Sequence, residues 1–155
     1  DPQTRLGQAT PEATHLIKVA CECATGAREG MQIFGTEYGT RDGTCVRDYI
    51  HVEDLASAHV RALEYMNQGG DSKVLNCGYG RGFTVREVID VVQRLSGVAF
   101  PVSETERRPG DPEALMADNS RIRGTLDWQP AYDDLDTIVQ TALDWERHWQ
   151  ARQNS

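Results

Sequence analysis

The residues best equipped for chemistry sit in two arginine-bearing segments. In "GTCVRDYIHVEDLA", Arg47 and Tyr49 stand at alternate positions, so on a strand both side chains point to one face. In "ERRPGDPEAL", Arg107, Arg108 and Asp111 share a loop stiffened by Pro109 and Pro112. A guanidinium is planar, permanently charged and able to donate two parallel hydrogen bonds, which suits the oxygens of a phosphate. With 24 acidic residues in the chain, the same arginines could pair instead with surface carboxylates, and spacing alone leaves both readings open.

A second stretch, "KVLNCGYGRGFTVREV", has the outline of a dinucleotide-binding turn: an apolar run, then glycines, then helical period. Such a turn needs G-x-G-x-x-G, with one glycine for the tight turn, one for the approach of the pyrophosphate and one for helix-on-strand packing. Gly78, Gly80 and Gly82 give G-x-G-x-G instead, and Phe83 takes the third glycine's place. Glu104 lies about 20 residues further on, where a ribose-binding acid would stand. Thr84 followed by Glu87 reads better as a capping box that opens a helix. No cofactor-binding residue is therefore assigned.

Catalytic motifs are not met either. A tyrosine acid/base with a lysine four positions later is excluded, because the only lysines are Lys18 and Lys73 and neither follows a tyrosine at that spacing. There is no G-x-S-x-G elbow, no H-E-x-x-H and no Walker loop. His15, His51, His59 and His148 form no ligand spacing with one another or with Cys21, Cys23, Cys45 and Cys77, so no metal site is assigned. The cysteines, without a C-x-x-C, read as buried free thiols.

These residues must be positioned by a fold, and composition bounds it. A chain of 155 residues can bury the core of one domain. A net charge of -8 lacks the positive field that nucleic acid requires. No apolar run reaches the roughly 20 residues of a membrane span, and the first residues do not have the order of a signal peptide, so the expected location is the cytoplasm. Helical period appears in "PEATHLIKVACECATG", "VEDLASAHVRALEYM", "TVREVIDVVQRLSG", "DNSRIRGTL" and "DDLDTIVQTALDWERHW". "MQIFG", "VRDYIHV", "KVLNCG" and "AFPVSE" read as strands, and "RRPGDPE" as a loop. The alternation predicts an α/β class.

Three strings then carry a resemblance. "IFGTEYGTRDGTCVRDYIHVEDLASAHVRAL", "LNCGYGRGFTVREVI" and "RRPGDPEALMAD" make the chain similar, from about Asp1 to Trp149, to the C-terminal half of the UDP-glucose 4-epimerases, which are extended short-chain dehydrogenase/reductases. The resemblance implies that residues 1–155 form the C-terminal UDP-sugar-binding region. It implies too that the NAD-binding Rossmann domain, with its glycine turn and Tyr-x-x-x-Lys pair, belongs to a preceding segment. In the complete enzyme it implies NAD as cofactor, UDP-glucose and UDP-galactose as partners, a homodimer, and a place in galactose metabolism. The segment alone would be inactive.

Roles are implied residue by residue. Arg47 and Arg108 match the arginines that clamp the diphosphate, Asp111 the acid on the ribose hydroxyls, and Gln32 and Phe34 the strand against which uracil lies. His15 and Leu16 match a helix start beside the sugar, where Lys18 stands at a position that is proline in many relatives. Tyr49 follows Arg47 on the same face. Leu115 falls where the family places a residue that limits sugar size. In that family a hydride leaves sugar C4 for NAD, the ketosugar turns over, and the hydride returns to the other face, so affinity must come from UDP and not from the sugar. The alternatives are another nucleotide-sugar epimerase, dehydratase or decarboxylase of the superfamily, or a non-catalytic nucleotide-sugar or protein-binding domain. Because the family packs "VRDYIHVEDLASAHVRALEYM" and "MADNSRIRGTLDW" on its cofactor domain, the apolar faces around Ile50, Leu55, Leu126 and Trp128 are expected to lack a partner here.

Overall fold

The computed structural model describes residues 1–153. Helix α1 (Leu16–Ala24) buries Ala20, Cys21 and Cys23 and stops ahead of Gly26, whose φ of 79° suits a residue without Cβ. Strands β1 (Met31–Phe34) and β2 (Val46–Arg47) follow, then α2 (Val52–Asn67). The second half runs β3 (Phe83–Thr84), α3 (Val85–Ser96), β4 (Val102–Thr105), β5 (Ala114–Leu115), α4 (Ser120–Leu126) and α5 (Leu135–Gln153).

Local chemistry explains the helix boundaries. Thr84 accepts from the Glu87 N–H while the Glu87 carboxylate accepts from the Thr84 N–H, which is the expected capping box, and Gly97 closes α3 at φ 72°. Asp134 starts α5 by accepting from the backbone and hydroxyl of Thr137. His51 starts α2, its Nδ1 accepting from the Glu53 N–H at 3.1 Å.

Two small sheets organise the rest. β1 and β4 pair in parallel from Met31 opposite Val102 to Phe34 opposite Thr105. In the other sheet β2 lies between antiparallel β3 and parallel β5, with Arg47 opposite both Phe83 and Leu115. Helices α1, α3 and α5 pack together beside β1, burying Ala20, Ile33, Val88, Val92, Phe100 and Val139 in one core. Each fully buried side chain of valine size or larger contributes about 1.5–3 kcal/mol, so this core anchors the fold. A second cluster joins α2 to α4 through Ala58, Ile122, Leu126 and Trp128.

Three expectations are corrected. The "VRDYIHV" strand is only two residues long, because the N–H groups of Tyr79 and Gly80 go to the Asp48 carboxylate and not to a ladder carbonyl. "KVLNCG" forms no strand: Leu75 and Cys77 pack on the cluster between α2 and α4 while Val74 is exposed. Leu126 and Trp128 do not lack partners; Trp128 is 2% exposed and its Nε1 donates to Ser57 and to the Asp54 carbonyl. Ile50 and Leu55 are half-buried, and the large apolar side chains that α2 exposes are Val52, Val60, Leu63 and Met66.

Candidate functional site

The two short sheets bring the arginine-bearing segments together. β5 lies directly after the loop holding Arg108 and Asp111, and its parallel pairing with β2 sets that loop beside Arg47. An Arg47 guanidinium nitrogen reaches the Asp111 carboxylate, and another donates to the Val46 carbonyl at 2.7 Å. Arg108 lies over the Phe34 ring, 3.6 Å from its centroid. The neighbouring Arg107 turns away to stack on Tyr38 and donate to the Glu37 carbonyl at 2.5 Å. Two adjacent arginines thus divide the work, one facing the site and one bracing the loop.

Two cavities meet at this junction. One, of about 770 Å³, is lined by Leu16, Gln32, Phe34, Arg108 and Asp111 among others. The second, of about 970 Å³, takes in His15, Leu16, Arg47, Tyr49, His51 and Trp145. Leu16, Cys45, Val85, Arg108 and Asp111 line both. The arrangement can seat a long anionic molecule: a flat ring in the first cavity, phosphates beside the arginines, and a further group in the second. Tyr49 stays a neutral phenol, since burial pushes its pKa up, and burial likewise raises the Cys45 thiol.

Eight of the nine expected residues line one or both cavities. Gln32 and Phe34 face the first, His15, Arg47 and Tyr49 the second, and Leu16, Arg108 and Asp111 both. The His15 Nδ1 is 2.8 Å from the Gln8 side-chain nitrogen. Leu115 lines neither cavity and is 61% exposed on β5. Glu104, set where a ribose-binding acid might stand, is committed to Arg86 at 2.5 Å.

Sequence reasoning missed a charged group buried in the wall of the second cavity. Lys18 contacts Glu146 at 2.5 Å and Glu22 at 3.1 Å, tying α1 to α5, and Gln150 donates to the other Glu146 oxygen at 2.8 Å. Burial alone would lower the Lys18 pKa, but the two carboxylates outweigh it and hold the ammonium above its ordinary value. The Lys18-to-Glu22 spacing was a visible signal; Glu146, 128 positions away, was not. Cys21 beside them is pushed up to about 12 by burial and is inert.

The glycine turn does not fit a pyrophosphate. Its donors, the N–H groups of Tyr79 and Gly80, already hold the Asp48 carboxylate at 3.0 and 2.9 Å. The N-terminus of α3 is filled by its own capping box. A Cβ on Gly78 or Gly82 would collide with Asp48 or Val46, so these glycines serve close internal packing. Among the described residues no His, Cys, Asp and Glu group could hold a metal ion, and no helix is long and apolar enough to cross a membrane.

Residues 4–78 match the NAD dependent epimerase/dehydratase family. The UDP-glucose 4-epimerase of Azospirillum brasilense is 57% identical over 147 residues, covering 95% of this chain and 42% of the relative. The chain belongs to this family. Its fold agrees: the UDP-Glc/GlcNAc 4-epimerase of Campylobacter jejuni superposes with a TM-score of 0.80 at 53% identity, over 92% of this chain and 43% of that one. The Brucella ovis UDP-glucose 4-epimerase, solved in complex with NAD, gives 0.88 at 43% identity over 93% and 44%. The chain therefore spans under half the length of these relatives and corresponds to the C-terminal half of an extended short-chain dehydrogenase/reductase.

Proposed function

We propose that this chain is the UDP-sugar-binding part of a UDP-glucose 4-epimerase, an isomerase of galactose metabolism that uses NAD, works in the cytoplasm and is a homodimer when complete. The observation that carries the reading is that Arg47, paired with the Asp111 carboxylate 64 positions away, and Arg108, stacked on the Phe34 ring, are brought to the two adjoining cavities, Arg47 lining the second and Arg108 both. A uracil seated against Gln32 and Phe34 places its diphosphate between the two arginines and leaves the hexose to the larger cavity beside His15, Leu16 and Tyr49. Asp111 is well placed for the ribose hydroxyls, and holds Arg47 until the ligand arrives.

The chain's share of the reaction is binding and orientation. Contacts to UDP act equally in ground state and transition state, so they set KM more than kcat. The cavity beside His15 and Tyr49 must hold the sugar loosely enough for it to turn. No step of the hydride chemistry is assigned to residues of this chain, and its glycine turn is not an NAD site. By itself the chain should bind UDP, bind NAD poorly and not interconvert UDP-glucose and UDP-galactose.

The test is titration of the chain with UDP and dTDP, followed by calorimetry and amide shifts. UDP should bind, perturbing residues 32–34 and 108–111, and Arg47→Ala or Arg108→Ala should weaken it about 10- to 100-fold, the scale of a lost charge-assisted hydrogen bond. Absence of UDP binding, or tighter binding of dTDP, would overturn the assignment.

A further inference from the structure

We infer that Asp48 is a positioning residue that acts through Arg47: its carboxylate fixes the β2–β5 register that sets Arg47 against Asp111 and the nucleotide site. The inference rests on the reading of Arg47 as a diphosphate ligand and adds a residue which that reading leaves without a role.

Asp48 follows Arg47 at the end of β2, so its side chain leaves the backbone on the opposite face. There it accepts three backbone N–H bonds: Tyr79 at 3.0 Å, Gly80 at 2.9 Å and Ala117 at 3.2 Å. Those donors come from two different segments, the glycine turn before β3 and the residues just after β5. Gly78 approaches so closely that an added Cβ would lie 2.6 Å from the Asp48 carboxylate and 2.7 Å from the Ala117 Cβ. One carboxylate therefore joins both flanking strands to the central one.

The need for such a clamp follows from the shortness of the sheet. β2 pairs with β5 over two residues only, Val46 with Ala114 and Arg47 with Leu115, supported by the Val46 N–H to the Glu113 carbonyl at 2.9 Å. A two-residue ladder specifies register weakly, and a slip by one residue turns every side chain to the other face. Asp111 lies three residues before β5 and Arg108 six, so a slip would carry both away from Arg47. The bond to Ala117 holds β5 from its far end. A carboxylate accepting several N–H groups is among the stronger neutral-to-charged arrangements, and removing it leaves three donors without their partner.

Asp48→Asn keeps the shape but replaces one acceptor oxygen with a donor that opposes the facing N–H groups. Two readouts are compared with the native chain: hydrogen exchange at the Val46 amide, and UDP affinity by calorimetry, each also in the Arg47→Ala background. We expect exchange at Val46 to rise at least about tenfold while amides inside α3 and α5 keep their protection, and UDP affinity to fall about tenfold. In Arg47→Ala, Asp48→Asn should cost clearly less UDP affinity than in the native chain, only the displacement of Arg108 and Asp111 remaining to be felt, a non-additivity that a general loss of stability would not give. Ala117→Pro deletes one donor and keeps the carboxylate; it is the milder variant, read the same way. Unchanged Val46 exchange, or an additive loss with Arg47→Ala, overturns the inference. Failure of the native chain to bind UDP would instead overturn the role given to Arg47, and would leave Val46 exchange to decide whether Asp48 sets the register.

Discussion

The Arg108 guanidinium lies over the ring of Phe34, 3.6 Å from its centroid, so the cation is held by an aromatic face at the rim of the first cavity. Stacking of this kind orients a planar fork and leaves its N–H edges free for an anion. Lysine keeps the charge but neither the plane nor the fork. Arg108→Lys should therefore weaken UDP about 5- to 20-fold, and Phe34→Leu by less, with the two changes non-additive because each removes the same contact. A calorimetric double-mutant cycle checks this; full additivity would mean that the stack does not orient the guanidinium.

Acid should loosen the start of α2. His51 is buried, stacks on Tyr132 with centroids 4.4 Å apart, and uses an unprotonated Nδ1 to cap the Glu53 N–H while its Nε2 pairs with Thr141 at 3.1 Å. Burial holds its pKa below the ordinary imidazole value. A histidine with a depressed folded pKa contributes stability that is fully present above the unfolded value of about 6.5 and is lost as pH falls from there through the folded pKa. Urea midpoints should drop between pH 7 and pH 5 in the native chain. His51→Asn, which keeps a capping oxygen without a titration, should be less stable at pH 7 yet lose less over that interval. Equal slopes for the two proteins would remove His51 as the source.

How far the sequence spoke depended on the range of the interaction. Thr84 and Glu87 are three residues apart, and their capping box was readable because both partners and the purpose lie within one helical turn. The α/β class and all five helices were legible for the same reason. Arg47 with Asp111 is a pair 64 positions apart, and residue type alone left it open whether the arginine faced a ligand or a surface acid. The structure shows a carboxylate within the site as its partner. "KVLNCG" misled because its pattern describes which side chains go inward, which Leu75 and Cys77 do, whereas a strand also needs a neighbour for its backbone. Lys18 and Glu146 lay beyond pattern reading, since each alone looks like an ordinary exposed helix residue.

That buried pair carries its own expectation. Glu146 is 0% exposed and bridges α5 to Lys18 on α1. Removing Lys18 leaves Glu146 as an uncompensated buried charge in the wall of the larger cavity, at a cost of about 3–5 kcal/mol, whereas removing Glu146 leaves Lys18 its bridge to Glu22 and costs less. Replacing both by apolar residues of similar volume removes the desolvation penalty together with the attraction. Lys18→Met should lower the urea midpoint sharply and Glu146→Leu by less, and adding Glu146→Leu to Lys18→Met should recover most of the loss. A double variant as unstable as Lys18→Met alone would show that the pair is more than a matched charge.

The exposed side chains on α2 predict association. Val52, Val60, Leu63 and Met66 are each more than half exposed, on a helix whose other side packs on Ile122 and Trp128. Clustered apolar surface of this kind seeks cover. The chain should self-associate at high micromolar concentration, and Val60→Glu with Leu63→Glu should abolish this while changing the unfolding free energy by no more than about 0.5 kcal/mol each, as expected for surface changes. Light scattering after gel filtration decides it, and a native chain that stays monomeric would refute the expectation.

The last expectation concerns Leu115 and the breadth of sugars accepted. Its Cα stands opposite Arg47 in the parallel β2–β5 pair, and its side chain is exposed, so nothing in this chain opposes a larger side chain there. The family resemblance associates a tyrosine at this place with confinement to glucose and galactose, and a small residue with room for a 2-acetamido group. Leucine is intermediate and lacks the phenol, so it can neither fill the far end of a sugar site nor offer it a hydrogen bond. Discrimination by a group of this size is worth about 1–3 kcal/mol, or 10- to 200-fold. In an enzyme carrying this segment beside an NAD-binding half, UDP-N-acetylhexosamines should turn over as secondary substrates, and Leu115→Tyr should cut kcat/KM for them at least about tenfold while leaving UDP-galactose within about threefold. The ratio of the two kcat/KM values is the measurement. If it is unchanged by the tyrosine, Leu115 is a surface residue and sugar size is limited elsewhere.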